Sequence, residues 1–172
     1  MSRTSGYDAA MKQQDAIALL KADHKTVKAL FKESEELSDR AKVQLKRLGD
    51  QICKELTVHT QIEEQVLYPR TKERAGKKKN KEESDLVLES YEEHNLAKHV
   101  IADLRAIDGS DESYKPKLKV LSELIDSHVK EEEKEMFPGL RKLFDDEELV
   151  QMGQQMLELK TQLQQTPEGQ PA

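Results

Sequence analysis

Residues 59–69 read HTQIEEQVLYP and residues 128–138 read HVKEEEKEMFP. Each stretch begins with a histidine, places glutamates four and five residues later, and closes on an apolar residue, an aromatic and a proline. The repeat extends beyond these stretches, because His24 and His94 are 70 residues apart and His59 and His128 are 69 apart. The chain therefore reads as two copies of one unit: a histidine on a first segment, then His-x3-Glu on a second. Whatever fold forms must bury the same positions of both copies.

Apolar periodicity says what that fold is. Ile17, Leu20, Val27 and Phe31 repeat at helical steps, with His24 in the gap. Leu45, Leu48, Ile52, Leu56 and Val66 form a second stripe that takes in His59 and Glu63. The third runs Val87, Tyr91, Ala97, Ile101, Leu104 around His94, and the fourth runs Leu118, Leu121, Ile125 into His128, Glu132 and Met136. This spacing marks one face of a helix. Residues i and i+4 lie on that face about 6 Å of rise apart, so each His and its Glu aim at one point.

Pro69 and Pro138 are expected to end or kink the second and fourth helices. Residues 75–82, AGKKKNKE, read as a charged loop and residues 108–113, DGSDES, as a short turn, with Ser38-Asp39 at the first junction. Short connections predict antiparallel neighbours. The fold class is thus all-α: an up-down-up-down four-helix bundle with an additional C-terminal amphipathic helix. The expected organisation is a flexible N-terminus over 1–14, the bundle over 15–140, the C-terminal helix over 141–164 and a disordered tail over 165–172. The C-terminal helix is expected to pack across the bundle or onto a second copy.

Composition supports this and narrows the partners. Charged residues are 36% and aromatics 4%, which favours helices with solvated faces over sheet. The net charge of -6 argues against a general nucleic-acid binder. No apolar run is long enough to span a membrane, and residues 1–14 lack an apolar signal core. With a single cysteine, Cys53, no internal disulfide can form, and a cytoplasmic setting is expected.

Buried imidazoles and carboxylates cost several kcal/mol each unless paired. Six of them in phase at mid-core need a common counter-ion, which a pair of metal ions supplies. Mixed imidazole and carboxylate ligation suits iron, with manganese and zinc as competitors. Two carboxylates suit bridging, since each has two oxygens.

The pattern His24, His59-x3-Glu63, His94, His128-x3-Glu132 resembles the hemerythrin-like family, also called the HHE cation-binding domain, over about residues 15–140. The resemblance implies a four-helix bundle around a non-heme centre of two iron ions (Fe2+/Fe3+). It makes His24, His59, Glu63, His94, His128 and Glu132 the metal ligands, with Glu63 and Glu132 bridging. The oxygen-carrying members place two histidines four residues apart on the third helix. Here Lys98 stands at that spacing and His99 one residue later, about 140° off the face of His94. A four-histidine site keeps open positions, which permits chemistry as well as binding. The implied function is a protein that binds or reacts with dioxygen, peroxide or nitric oxide in stress protection or sensing. Beside it stand an enzyme that consumes peroxide or nitric oxide, and an iron store, iron donor or iron-responsive regulator without turnover.

The remaining residues of note have plainer readings. Glu64 and Glu133 point about 100° from the ligands and are expected at the surface or rim. Tyr68 and Phe137, nine residues past His59 and His128, lie about 13 Å of rise away and should close one end of the bundle. Tyr91 should pack in the core, with its hydroxyl in reach of the surroundings of His94. Residues 72–81 form a basic patch, read as a solvated loop or a dock for an acidic partner.

Overall fold

The computed structural model describes residues 14–165, and among these the chain is all helical, with no strand. Helix α1 spans Ala16–Glu35, with the Asp15 carboxylate accepting from the Ala18 N–H at 2.7 Å as its N-cap. Helix α2 spans Lys42–Ile62 and runs through a π-turn, Glu63–Leu67, into α3, Tyr68–Lys78. Helix α4 is Lys81–Ala106. Helix α5, Tyr114–Glu131, continues through a second π-turn, Glu132–Met136, into α6, Phe137–Leu143. Helix α7 is Asp146–Gln165. The result is five helical rods, two of them containing a π-turn at the same point of the repeat.

Those π-turns correct the expectation for the prolines. Neither Pro69 nor Pro138 ends its rod; each sits in the first turn of the helix that continues it. A proline inside an α-helix lacks an N–H and presses its ring on the carbonyl four residues back. Widening one turn to i→i+5 bonding, with Tyr68 N–H on Glu63 O and Phe137 N–H on Glu132 O, opens the ladder where the ring needs space.

The charged loop over 75–82 is a second correction. Helix α3 runs to Lys78, and only Lys79 and Asn80 connect it to α4. Lys79 is left-handed at φ 54°, the Asn80 N–H bonds Ala75 O at 2.8 Å, and the Asn80 side chain accepts from the Glu83 N–H at 3.3 Å. Tertiary contacts hold this end: Ala75 is buried, and Arg74 and Lys78 both donate to Leu143 O. The fourth rod reaches Leu143.

Helix α7 lies on its own bundle, against α1, α2 and the first π-turn. Leu149, Met152 and Met156 are its buried residues, and Gly153 admits the backbone of Gln14, which would stand 2.4 Å from an added Cβ. The flexible-terminus and tail readings fall on residues outside those described, save that Gln14 leads into the α1 cap and Gln165 ends α7. No described helix is long and apolar enough to cross a membrane.

Two apolar clusters form the core. One holds Ile17 and Leu20 with Ile62, Leu67, Val87, Met136 and Leu140. The other holds Val27 and Phe31 with Ile52, Leu56, Ile101, Leu121 and Ile125. Along every one of the first four rods the break between clusters falls at the histidine-bearing segment.

Candidate metal centre

His24 comes from α1, His59 from α2, His94 from α4 and His128 from α5. Glu63 and Glu132 are the first residues of the two π-turns. All six are buried, each at most 5% exposed. Around Glu63, its Oε2 stands 3.3 Å from the Nε2 of both His59 and His94. Around Glu132, its Oε2 stands 3.1 Å from His24 Nε2 and 3.6 Å from His128 Nε2. Two sets of ligand atoms lie within 4.8 Å of one another: His24, His59, Glu63 and Glu132, and Glu63, His94 and His128. Glu63 belongs to both sets.

The outer nitrogens fix how the imidazoles face. The Nδ1 of each donates to a carboxylate: His24 to Glu133 at 2.9 Å, His94 to Glu64 at 2.9 Å, His128 to Glu93 at 2.6 Å and His59 to Asp23 at 3.5 Å. A proton on Nδ1 leaves Nε2 as a lone pair aimed inward, the tautomer a metal ligand needs. The inward atoms then face one another as acceptors. His24 Nε2, His59 Nε2, both Glu63 oxygens and Glu132 Oε2 are buried without a hydrogen-bond partner. Buried acceptors left so are costly, and a cation shared among them removes the cost. The donor set of four imidazoles and two carboxylates fits a metal pair on this observation.

Glu64 and Glu133 do stand at the rim, half-buried, with side chains 21% and 36% exposed, and they do more than face solvent. They turn from the ligand face onto the neighbouring rod, where they hold His94 and His24. Lys98 donates to both oxygens of Glu64, at 2.6 and 2.8 Å. Asp23 and Glu93 were not singled out in the sequence, although a signal was present: in both halves an acidic residue immediately precedes the first histidine. Lys160 of α7 pairs with Asp23, so α7 reaches the ring of carboxylates.

Tyr68 is the largest departure from the sequence reading. Rather than only closing an end, its hydroxyl donates to Glu132 Oε1 at 3.1 Å and lies 3.3 Å from His94 Nε2. A helical side chain leans back toward the N-terminus of its helix, and tyrosine is long enough to recover the rise. Phe137, its counterpart, stacks on the His24 ring, with centroids 5.9 Å apart and planes 5° from parallel. Tyr91 packs edge-on against Tyr68, with its hydroxyl 3.5 Å from Glu64 O. His99 is exposed and donates to Asn95 O at 2.7 Å, away from the centre, as its phase on α4 dictates.

The hemerythrin HHE cation binding domain family matches residues 15–140. The chain belongs to this family. Over 97% of its length this hemerythrin-like chain is 32% identical to a DNA nickase of Nostoc sp., and it spans 44% of that protein. It is 28% identical, over 62% of its length, to an uncharacterized hemerythrin-like protein of Schizosaccharomyces pombe, of which it spans 50%. The chain thus covers about half the length of these relatives. Its fold is similar to that of a hemerythrin HHE cation binding domain-containing protein from Mycobacterium kansasii, with a TM-score of 0.71 at 23% identity over 87% of this chain and 86% of that one.

Charge distribution in this hemerythrin-like centre follows from burial. Burial, reinforced by the Glu132 charge, pushes the Glu63 carboxyl well up. Burial alone would raise Glu132 too, but the imidazoles of His128 and His24 outweigh it and hold that carboxyl low. Burial, then the Glu132 charge, raises the Tyr68 phenol well above its usual range, so it stays protonated and donates. Opposite Tyr68, the four imidazoles open onto a cavity of about 10 Å³ closed by Val27, Leu56, Ile125 and Val129, room for about one water.

Proposed function

We propose that this chain is a non-heme di-iron protein that binds or reacts with a small oxidant: dioxygen, peroxide or nitric oxide. The supporting observation is the set of orphaned, buried, inward-facing acceptors, gathered into two groups that share Glu63. His24 and His59 would hold one ion, His94 and His128 the other, with Glu63 and Glu132 between them. Bound there, the iron pair would supply electron exchange between ferrous and ferric states. The chain's own residues do the rest. The four Nδ1-bonded carboxylates keep the imidazoles in register, Tyr68 holds a proton beside Glu132, and the Val27–Leu56–Ile125–Val129 wall admits only small ligands. The alternation of the two apolar clusters along successive rods supports an up-down-up-down arrangement of the first four. Metal analysis and an absorption spectrum of protein from iron-replete cells test the reading. About two irons per chain with near-ultraviolet charge-transfer bands are expected; zinc alone, or no metal, would sink it.

A second reading is favoured by one observation: the Nostoc relative, similar over 97% of this chain, is named a DNA nickase. A metal pair held by carboxylates and imidazoles can also activate water for phosphodiester cleavage. Incubation with supercoiled plasmid separates the two. Nicking that requires metal and disappears in His59→Ala supports this second reading, and intact plasmid removes it.

A further inference from the structure

The chain's net charge of -6 averages over two unlike parts. Residues 70–81 hold Arg70, Lys72, Arg74, Lys77, Lys78, Lys79 and Lys81 against the single acid Glu73. That stretch carries +6 and leaves -12 for the rest. The structure makes it an ordered surface rather than a loop, being the body of α3, the tight turn at Lys79–Asn80 and the first residue of α4.

The cations divide by what holds them. Arg74 is bound to Glu148 and Leu143 O, Arg70 to Gln155, and Lys78 to Leu143 O. Lys72, Lys77, Lys79 and Lys81 are exposed; the last three stand at the turn from α3 into α4, while Lys72, five residues before Lys77, faces about 140° away on α3. Lys77 and Lys81 meet only Glu73 and Asp85, one turn away on their own helices and themselves exposed. Exposed pairs of that kind are worth little and yield to a stronger anion. Gly76, between these lysines, has nothing within 4 Å of where a Cβ would stand, so the face is open to close approach.

We propose that the turn from α3 into α4, with Lys77, Lys79 and Lys81, binds the phosphate backbone of a nucleic-acid duplex. Protein interfaces are anchored by apolar or aromatic side chains, and the exposed large apolar residues among those described, Val43, Leu88, Leu96 and Val120, all lie outside residues 70–81. Closely spaced cations with no anchor among them suit a repeating phosphate polyanion, recognised without reading bases. The segregation reverses what the whole-chain charge suggested about nucleic acid. Binding here does not depend on either reading of the metal centre, since these lysines belong to α3, the turn and α4, outside the buried cluster.

The test is fluorescence anisotropy with a short labelled DNA duplex, run on metal-loaded and metal-free protein. Three phosphate contacts predict roughly 40-fold weaker binding at 200 mM than at 50 mM salt. Replacing the three turn lysines together, as Lys77→Gln, Lys79→Gln and Lys81→Gln, should weaken binding by roughly tenfold or more at 50 mM salt and flatten the salt dependence. All three are surface residues, and circular dichroism checks that the helices persist. Lys115→Gln with Lys119→Gln, exposed lysines of α5, should leave binding unchanged. No binding by the wild type at low salt, equal binding by the triple variant, or equal loss in the α5 control overturns the proposal. So does displacement of the duplex by an acidic polypeptide at lower charge concentration than by unlabelled DNA, which would make the partner a protein.

Discussion

Nine residues past His59 stands Tyr68 in the first half of the chain and nine past His128 stands Phe137 in the second, and of the two only Tyr68 brings a proton donor to the centre. The His94–His128 side has the Tyr68 hydroxyl beside it and the Lys98–Glu64 pair behind His94. The His24–His59 side has the Phe137 ring stacked on His24, and behind His59 the pair of Asp23 with Lys160 from α7. Glu93, the counterpart of Asp23, holds His128 from a half-buried position instead. The six inward residues are therefore repeated and their surroundings are not. Two candidate metal positions, of which only the His24–His59 one groups both glutamates, are given different electrostatic support.

The harshest way to break the comparison is to remove what both sides share. Glu63→Ala should lose metal from both positions, whereas His128→Ala should leave a share bound by His24 and His59. Metal stoichiometry after gel filtration distinguishes them, and a full load in Glu63→Ala would show that the shared carboxylate is dispensable. Chelation of the wild type should likewise lower its thermal midpoint, because an ion bound only by the folded state stabilises it. An unchanged midpoint would mean that the orphaned acceptors are not relieved by metal.

Next come the outer carboxylates, whose loss from a metal-bound histidine typically weakens affinity 10–100-fold. Asp23→Asn should fall in that range and act on the His59 side. Lys160→Met should act in the same direction and less strongly, with Lys160→Arg restoring the wild-type value. Competitive titration with a chromophoric chelator reads both. If Glu93→Gln and Asp23→Asn give the same two-step titration curve, the two sides are equivalent and the asymmetry has no consequence for metal.

The first four helices, their apolar faces and the six inward residues were legible because each depends on phase within one helix. What was not legible depends on contacts between helices. Glu64 and Glu133 look solvated from their own helix and are taken up by histidines of another. Tyr68 seemed too far by rise, yet its side-chain length and lean set where its hydroxyl stands. Helix α3 persisted across a charged, glycine-containing stretch because Leu143 O and Glu148 of the last two rods hold it. The prolines were expected to end or kink their helices because an α-helix does not accept them, and the π-turn is the local geometry that does.

The exchange of aromatics gives a smaller, sharper test. Tyr68→Phe removes a hydrogen bond to Glu132, worth about 1 kcal/mol, and should keep the metal load while slowing proton-coupled oxidation of the reduced protein. Phe137→Tyr should not compensate, because its ring stacks on His24 instead of reaching a carboxylate. Stopped-flow mixing with oxygenated buffer compares the variants; equal rates in Tyr68→Phe and wild type would take the phenol out of the chemistry.

The smallest effect is expected at His99. The two rods that supply His-x3-Glu each contain a π-turn, which shifts the phase of everything after it, while α4 runs unbroken from Lys81 to Ala106. On an unbroken helix, five residues past His94 is about 140° off its face, and the ring accordingly bonds Asn95 O on the solvent side. His99→Ala should leave metal content and the oxidised spectrum unchanged and move stability by less than about 0.5 kcal/mol. Loss of metal or a shifted charge-transfer band would mean that α4 opens a π-turn of its own in solution. That would bring a fifth imidazole to the His94–His128 side and widen the difference between the two sides.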